Sequence, residues 1–175
     1  GMSELARRYA QALYGIYPNE GTLDLTAKRL MENQELWESL CSPAVQAEEK
    51  ERVLSRLPML DGHRILLSFY SLLADKGRMA LLPQIVEAFH DIALEDRGAA
   101  RCRLTCARVP QEEELEKLRK TLCHLHRKKD VVFDIHTQPD LIGGFVLDIE
   151  GVTYDKSVQG TLTGMFRQLE ERRMA

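Results

Sequence analysis

The sequence lacks any apolar run long enough to cross a bilayer. Runs such as residues 65–67 and 80–82 are far shorter than the roughly 20 residues of a membrane-spanning helix. The first residues also lack the basic, apolar and small-residue succession of a signal peptide, and Gly1 before Met2 is interpreted as left over from expression. We therefore expect a protein that is neither exported nor inserted in a membrane by its own helices.

An excess of one charge is also missing, since 24 basic residues stand against 27 acidic ones and the formal net charge is −3. Proteins that bind nucleic acid or anionic membranes usually carry a strongly basic surface. The composition therefore predicts no nucleic-acid partner. We expect any partner to be recognised by shape and apolar contact.

Cysteine is sparse, and its spacing matches no disulfide framework. The four cysteines are spread over most of the chain, at Cys41, Cys102, Cys106 and Cys123. In a chain without an export signal this pattern favours reduced thiols and a cytoplasmic location.

The first part of the chain, residues 3–97, is rich in apolar residues at helical spacing and predicts five or six helices. The first is expected to end near Pro18. The second contains Leu30 and Trp37 and is expected to run on to Pro43. A third covers residues 48–57, and the last two end near glycines, at Gly77 and Gly98.

After Gly98 the period changes from about 3.6 to 2, the spacing of a strand. A helix follows Pro110, and alternation at residues 131–136 and 145–149 predicts two more strands, with a short one at 152–154. Ser157 is expected to cap a final helix. The second part therefore reads as strand, helix, two or three strands and helix, with a domain boundary between residues 98 and 99.

The glycines of residues 143–157 do not match a phosphate-binding loop. Such a loop needs a glycine directly before its lysine, and here Asp155 precedes Lys156. A carboxylate at that point would repel a phosphate group. Gly143 and Gly144 are interpreted as a bend into a strand, and no cofactor is predicted.

Metal and catalytic patterns are weak. Cys102 and Cys106 would lie about 13 Å apart on a strand, too far to share an ion, and are interpreted as core residues. Cys123 and His126 share one side of a helix without a second ligand pair nearby, so only a site completed from a distant segment stays open. The sequence also lacks the local signatures of hydrolases and metalloproteases, and we expect no enzyme.

The first predicted helix carries a stripe of tyrosines beside small residues, at Tyr9, Ala10, Leu13, Tyr14 and Tyr17. Small residues allow helices to approach closely, and tyrosines bury a large apolar surface. Two interpretations stay open. The stripe packs within the core, or it forms a groove for a partner's amphipathic helix.

Three segments together resemble a known family. Residues 140–162 read DLIGGFVLDIEGVTYDKSVQGTL, residues 6–12 read ARRYAQA, and residues 73–79 read LADKGRM. In order and spacing they are similar to the delta subunit of the bacterial F-type ATP synthase, which is equivalent to the oligomycin-sensitivity-conferring protein of mitochondria. The resemblance covers nearly the whole chain.

The resemblance implies an N-terminal six-helix bundle, residues 2–98, and a small C-terminal α/β domain, residues 99–175, with a short β-sheet and two helices. It implies a non-catalytic subunit without cofactor or metal. Such a subunit links the catalytic head to the peripheral stalk, as part of the stator during rotary coupling to ion translocation. The expected location is the cytoplasmic side of a bacterial cell membrane, with membrane association only through the complex.

The resemblance also implies two binding regions. The bundle would bind the N-terminal helix of the alpha subunit, and the C-terminal domain would bind the b subunits of the stalk at residues 140–172 approximately. The bundle residues implied by the family's groove are Tyr9, Ala12, Leu13 and Leu72, to which the pattern adds Ile85.

Two departures from the family pattern stand out. Arg8 replaces a usual proline, which a first helical turn tolerates. Gln159 and Thr161 replace two usual arginines and remove any salt bridge that those arginines would make with the stalk. The alternative to this family is an unrelated helical adaptor that binds an amphipathic helix of a partner.

Overall fold

The computed structural model describes residues 3–141 and 144–155, which form an α plus β fold. Within these residues there are seven α-helices and one four-stranded mixed sheet. The helices are α1 (Glu4–Ile16), α2 (Glu20–Glu32), α3 (Gln34–Cys41), α4 (Ala47–Ser55), α5 (Arg64–Asp75), α6 (Leu82–Asp96) and α7 (Glu112–His126). The strands are β1 (Ala99–Cys106), β2 (Asp130–Thr137), β3 (Phe145–Ile149) and β4 (Val152–Asp155). Single 3₁₀ turns lie at Pro58–Leu60 and Met79–Leu81.

Contacts divide the chain into two compact units, Gly1–Ala93 and Leu94–Ala175. The predicted boundary between residues 98 and 99 stays a prediction. Among the helices of the described residues, none combines the length and apolarity needed to cross a membrane. The predicted helix after Ser157 and the predicted bend at Gly143 lie outside the described residues.

The expectation of one helix through Leu30 and Trp37 is wrong, because the chain breaks at Asn33. This residue is extended, with φ −81° and ψ 97°, and its side chain accepts a hydrogen bond from the Leu36 amide at 3.1 Å. Asparagine side chains satisfy the first free amides of a helix and therefore favour helix starts. Asn33 thus ends α2 and caps α3, while the apolar spacing continues across it.

The first unit is held together by a single hydrophobic core to which α1 to α6 all contribute. The contributions of α3 and α4 are the smallest, with one buried apolar residue each. Two alanines of α1, Ala6 and Ala10, are fully buried and allow neighbouring helices to approach α1 closely. The largest fully buried side chains of this core are Tyr70 and Phe89. The core therefore depends on both small and large side chains.

One buried hydrogen bond within this core, between Thr26 and Tyr70, predicts that substituting its two partners lowers stability by different amounts. Thr26 Oγ1 lies 2.7 Å from Tyr70 Oη and also 2.8 Å from the Thr22 carbonyl oxygen, to which it donates. Thr26→Val leaves the buried Tyr70 hydroxyl without its acceptor, so we expect a loss of about 1–3 kcal/mol in the free energy of unfolding. Tyr70→Phe leaves the Thr26 hydroxyl bonded to the carbonyl, so we expect about 1 kcal/mol or less.

Urea unfolding of the two single variants and the double variant measures this difference. The double variant is expected to resemble Tyr70→Phe, since no buried donor is then left without a partner. Equal losses for Thr26→Val and Tyr70→Phe would contradict the assignment of donor and acceptor.

The second unit has the strand order β2-β1-β3-β4. β1 pairs in parallel with β2, and α7 provides the connection between them, while β1 and β3 and then β3 and β4 are antiparallel. A two-residue turn joins β3 to β4, with positive φ at Glu150 (50°) and Gly151 (77°), as hairpin turns of this length require. The predicted order of strand, helix and three strands is confirmed for the described residues.

The core of the second unit lies between α7 and one face of the sheet. Leu118 and Leu122 of α7 join the same buried cluster as Cys102 and Leu104 of β1. The interpretation of Cys102 and Cys106 as core residues is confirmed by their burial. Burial raises the pKa of Cys102 to about 12, so this thiol is neutral at pH 7.

Candidate functional site

Helices α1 and α5 lie beside each other in opposite directions. The rings of Tyr9 and Phe69 meet edge to face with centroids 6.3 Å apart. Nearer the end of α1, Tyr17 Oη lies 2.9 Å from Nδ1 of His63, the residue that precedes α5. Because a later position on α1 contacts an earlier position by α5, the two helices are antiparallel.

Helix α1 presents a second, partly apolar stripe beside its buried residues. Leu5, Tyr9, Ala12 and Ile16 recur at helical spacing, and Ile16 is 66% exposed. The neighbouring stripe, which includes Ala6 and Leu13, is buried in the core. The helix therefore has one apolar stripe inside the core and another that is open to solvent.

Helix α5 has a matching arrangement. Ile65 and Leu72 are 41% and 42% exposed and lie two turns apart, with Phe69 between them. On α1 the exposed stripe is rotated about the helix axis away from Tyr9, the residue that contacts α5. On α5 the exposed stripe is rotated by a similar angle, in the same sense, away from Phe69. Since the helices are antiparallel, this offset places both stripes on the same side of the pair. We call this surface the α1–α5 face, defined by Tyr9, Ala12, Ile16, Ile65 and Leu72.

Arg78 fixes the side chain of Tyr9 on this face. Its Nη1 donates a hydrogen bond of 2.7 Å to Tyr9 Oη, and its guanidinium carbon lies 5.8 Å from the centre of the ring. Gly77 has φ 66° and ends α5, after which the Arg78 amide donates to the Leu73 carbonyl oxygen at 2.8 Å. The turn after α5 therefore aims Arg78 toward α1.

The structure brings together two of the segments that resemble the family, residues 6–12 and residues 73–79. Tyr9 belongs to residues 6–12 and Arg78 to residues 73–79, and 69 positions separate them. Arg78 is not among the site residues predicted from the sequence. The signal that could have found it is its place in the quoted LADKGRM segment.

The predicted partner-binding residues fall into two groups. Tyr9 is half-buried, while Ala12 and Leu72 are exposed, so these three are accessible on the α1–α5 face. Leu13 and Ile85 are 1% and 0% exposed and lie in the core, where they would support this face rather than contact a partner.

The interpretation of the tyrosine stripe as core packing applies to part of it, and the interpretation as a groove for a partner's helix stays a prediction. Tyr14 packs edge to face against Phe89, with centroids 5.3 Å apart, and Tyr17 bonds to His63. These two side chains join the periphery of the core. Tyr9 alone of the three reaches the α1–α5 face.

Metal binding was left open for Cys123 and His126, and both ring nitrogens of His126 have other partners. Nε2 lies 3.0 Å from Tyr154 Oη, and Nδ1 lies 3.2 Å from a Glu150 carboxylate oxygen. Over residues 3–141 and 144–155, no group of three or more His, Cys, Asp or Glu side chains could hold a metal ion.

The α1–α5 face is apolar, with the Arg78 guanidinium beside Tyr9. Such a surface suits the apolar side of an amphipathic helix.

Comparison with known proteins gives a consistent result. The model of the family "ATP synthase delta (OSCP) subunit" matches residues 5–169. The ATP synthase subunit delta of Myxococcus xanthus is 30% identical, over 96% of this chain and 97% of that protein. The ATP synthase subunit delta of Carboxydothermus hydrogenoformans is also 30% identical, over 94% and 96% of the two chains.

Solved structures support the fold. A chain of the Toxoplasma gondii mitochondrial ATP synthase hexamer, determined by cryo-electron microscopy, superimposes with a TM-score of 0.64. It covers 99% of this chain and 99% of its own length at 18% identity. At that identity the likeness concerns the fold alone.

Proposed function

The chain belongs to the ATP synthase delta (OSCP) subunit family, and from that premise we propose that it links the catalytic head of an F-type ATP synthase to the peripheral stalk. It is a delta-type structural subunit of an ATP synthase. In the proposed role it has no catalytic residue and needs no cofactor. It acts in the stator and keeps the head from turning with the rotor during coupling to ion translocation.

We assign the two binding tasks to different parts of the chain. Residues 2–98 act as a six-helix bundle that binds the head, and residues 99–175 bind the b subunits of the stalk. The predicted stalk region at residues 140–172 lies partly outside the described residues, and so do Gln159 and Thr161. In this arrangement the subunit is peripheral, on the cytoplasmic side of a bacterial membrane, and meets the membrane only through the complex.

The α1–α5 face is the proposed site for the N-terminal helix of the alpha subunit. The observation that carries this assignment is the pair of exposed apolar stripes on the same side of two antiparallel helices. An amphipathic helix could place its apolar side along both stripes and remove Ile16, Ile65 and Leu72 from water. Tyr9, held by Arg78, lies in the seam as a preorganised anchor.

Titration calorimetry of the full chain with a peptide of the alpha subunit's N-terminal helix from the same organism tests this assignment. Saturable binding with one peptide per chain and a negative heat-capacity change is expected, because the contact buries apolar surface. A peptide of the same composition with its apolar positions scrambled is the matched control. Absence of binding by a chain shown to be folded would contradict the assignment.

The alternative of an unrelated helical adaptor is not favoured. It accounts for an apolar face on the helices, but it gives no reason for a family match over residues 5–169. It also predicts no effect of this chain on an ATP synthase.

A further inference from the structure

A groove of about 900 Å³ lies along the outer side of α7 and the chain that follows it. All of its lining residues belong to the second unit. Those on α7 recur at helical spacing from Glu116 to His124 and form one continuous side of the helix, turned away from Leu118 and Leu122 of the core. The groove is lined by Glu116, Arg119, Lys120, Cys123, His124, Arg127, Lys128, Lys129 and Asp130.

The groove is cationic in a chain whose formal net charge is −3, because it holds five Lys or Arg side chains and only two carboxylates. Two of the cations are already paired. Arg119 contacts Glu116 and lies 3.6 Å from Asp130, and Lys128 lies 3.2 Å from Glu150. The cations without a carboxylate partner among the described residues are Lys120, Arg127 and Lys129.

The groove's thiol does not offset this positive charge. Burial raises the pKa of Cys123, and the nearby Asp130 carboxylate raises it further. The thiol is therefore neutral at pH 7 and presents a small apolar surface between the cations.

Arg127 occupies a backbone conformation that disfavours its side chain. It follows the end of α7 with φ 55° and ψ 50°, the left-handed region in which glycine is normally found. A side chain there costs roughly 1 kcal/mol or more relative to glycine. Its amide caps the Cys123 carbonyl oxygen, a task that any residue except proline performs. The guanidinium at the end of the groove is therefore unnecessary for ending the helix.

The layout of the cations suits a linear anion better than a compact one. Lys120 and Arg127 are seven residues apart, about 10 Å along the helix axis, so a compact anion would have to draw both long side chains toward one point. A chain of spaced carboxylates can instead meet one cation after another along the groove.

We propose that this groove binds an acidic polypeptide segment that runs along α7 from Lys120 to Lys129. The segment contacts Lys120, Arg127 and Lys129 through carboxylates and packs against Cys123 and the stems of the long side chains. The inference rests on the proposed function only in taking the segment to come from another subunit of the complex.

Binding of a fluorescent peptide of about 12 residues, rich in glutamate, to the full chain tests the proposal, since such a peptide spans the cations as an extended chain or a helix. We expect saturable binding that weakens as salt is raised. The counterpart peptide with glutamine in place of glutamate should bind at least tenfold more weakly. Absence of binding by the glutamate peptide at low salt would overturn the proposal.

Three variants make the test specific to the groove. Lys120→Glu and Arg127→Glu should each weaken the glutamate peptide about tenfold. Lys28→Glu on α2 changes the net charge equally, at an exposed site of the first unit, and should leave binding within about twofold. Equal weakening by all three variants would mean attraction to overall charge and would overturn the proposal.

Arg127→Gly separates binding from folding. It should weaken the peptide about threefold while leaving the melting temperature unchanged or higher, because glycine relieves the backbone strain. If Arg127→Gly binds the peptide as the parent chain does, the guanidinium has no part in the site and the proposal fails.

Two further measurements separate this proposal from neighbouring explanations. In the first, binding of a single-stranded oligonucleotide or of vesicles with anionic lipid is compared with binding of the glutamate peptide. If either binds more tightly than the peptide and is weakened by the same groove variants, the proposal is overturned in favour of a phosphate-bearing ligand. The alpha-subunit peptide should bind every groove variant normally. If that peptide fails to bind the parent chain while the glutamate peptide binds, the proposed function fails and the groove assignment survives.

Discussion

Leu73→Ala should lower the free energy of unfolding by about 2–5 kcal/mol, whereas Leu72→Ala should change it by less than about 1 kcal/mol. The two residues are neighbours on α5, yet Leu73 is 0% exposed and Leu72 is 42% exposed. Truncating Leu73 leaves a cavity in the core, while truncating Leu72 removes a side chain that is already partly in water. Urea unfolding of the two variants measures the difference.

For the affinity of the alpha-subunit peptide we expect the opposite order, with the larger effect in Leu72→Ala. Leu72→Ala should weaken binding about tenfold, because Leu72 would lose its burial under the partner helix. Leu73→Ala, measured where it is still folded, should bind the peptide within about threefold of the parent chain. If Leu72→Ala binds as the parent chain does, Leu72 does not contact the partner and the α1–α5 face is wrongly placed.

Tyr9→Ala should weaken the alpha-subunit peptide by about 2 kcal/mol, roughly thirtyfold, as expected for a tyrosine anchor at the centre of an interface. The variant removes the ring that packs on Phe69 and leaves Arg78 without its acceptor on α1. Titration calorimetry gives the affinity, and thermal unfolding of the same sample shows how much of the fold is retained.

Tyr9→Phe is the matched control for the ring. It keeps the edge-to-face contact with Phe69 and removes only the hydroxyl that accepts the Arg78 hydrogen bond. We expect Tyr9→Phe to weaken the peptide by about 1 kcal/mol or less. A loss in Tyr9→Phe as large as in Tyr9→Ala would show that the hydroxyl, and not the ring, carries the contact.

The helices and strands were largely predictable because their apolar spacing repeats over many residues. α5 and α6 end before Gly77 and Gly98, which have φ 66° and 74° and act as predicted stops. The break at Asn33 was missed because the apolar period continues through α2 and α3. Only the helix-capping preference of asparagine indicated it.

The sheet order depends on pairing that periodicity does not encode. Alternation predicted the strands of the second unit, and a helix between β1 and β2 suits a parallel pair. It does not predict that β1 lies between β2 and β3. That order appears only in the backbone pairing of β1 with β2 on one side and with β3 on the other.

The candidate site was predictable only in part. The residues at the centre of the site, Tyr9 and Leu72, came from the resemblance and lie on the accessible face. Leu13, which the resemblance implied, is only about 40° around α1 from Tyr9 and yet is buried. Ile85 of α6, which the pattern added, also lies in the core. Exposure on a helix is decided by its neighbours.

The groove beside α7 was not predictable from the sequence, because it too depends on which side chains become neighbours on folding. Cations at the end of a helix complement its dipole, so their presence in the sequence does not by itself indicate a binding site. Which of them would remain without a partner depended on folding, because Glu150 comes from the β3–β4 turn and pairs with Lys128.

In its proposed role this chain couples an ATP synthase head to its stalk. The most direct test uses membranes from the same organism whose ATP synthase has been depleted of its native delta subunit, with ATP-driven membrane potential as the readout. We predict that the added full chain restores the potential and that Tyr9→Ala at the same concentration restores much less. A chain that binds these membranes yet leaves the potential at the depleted level would contradict the proposed role.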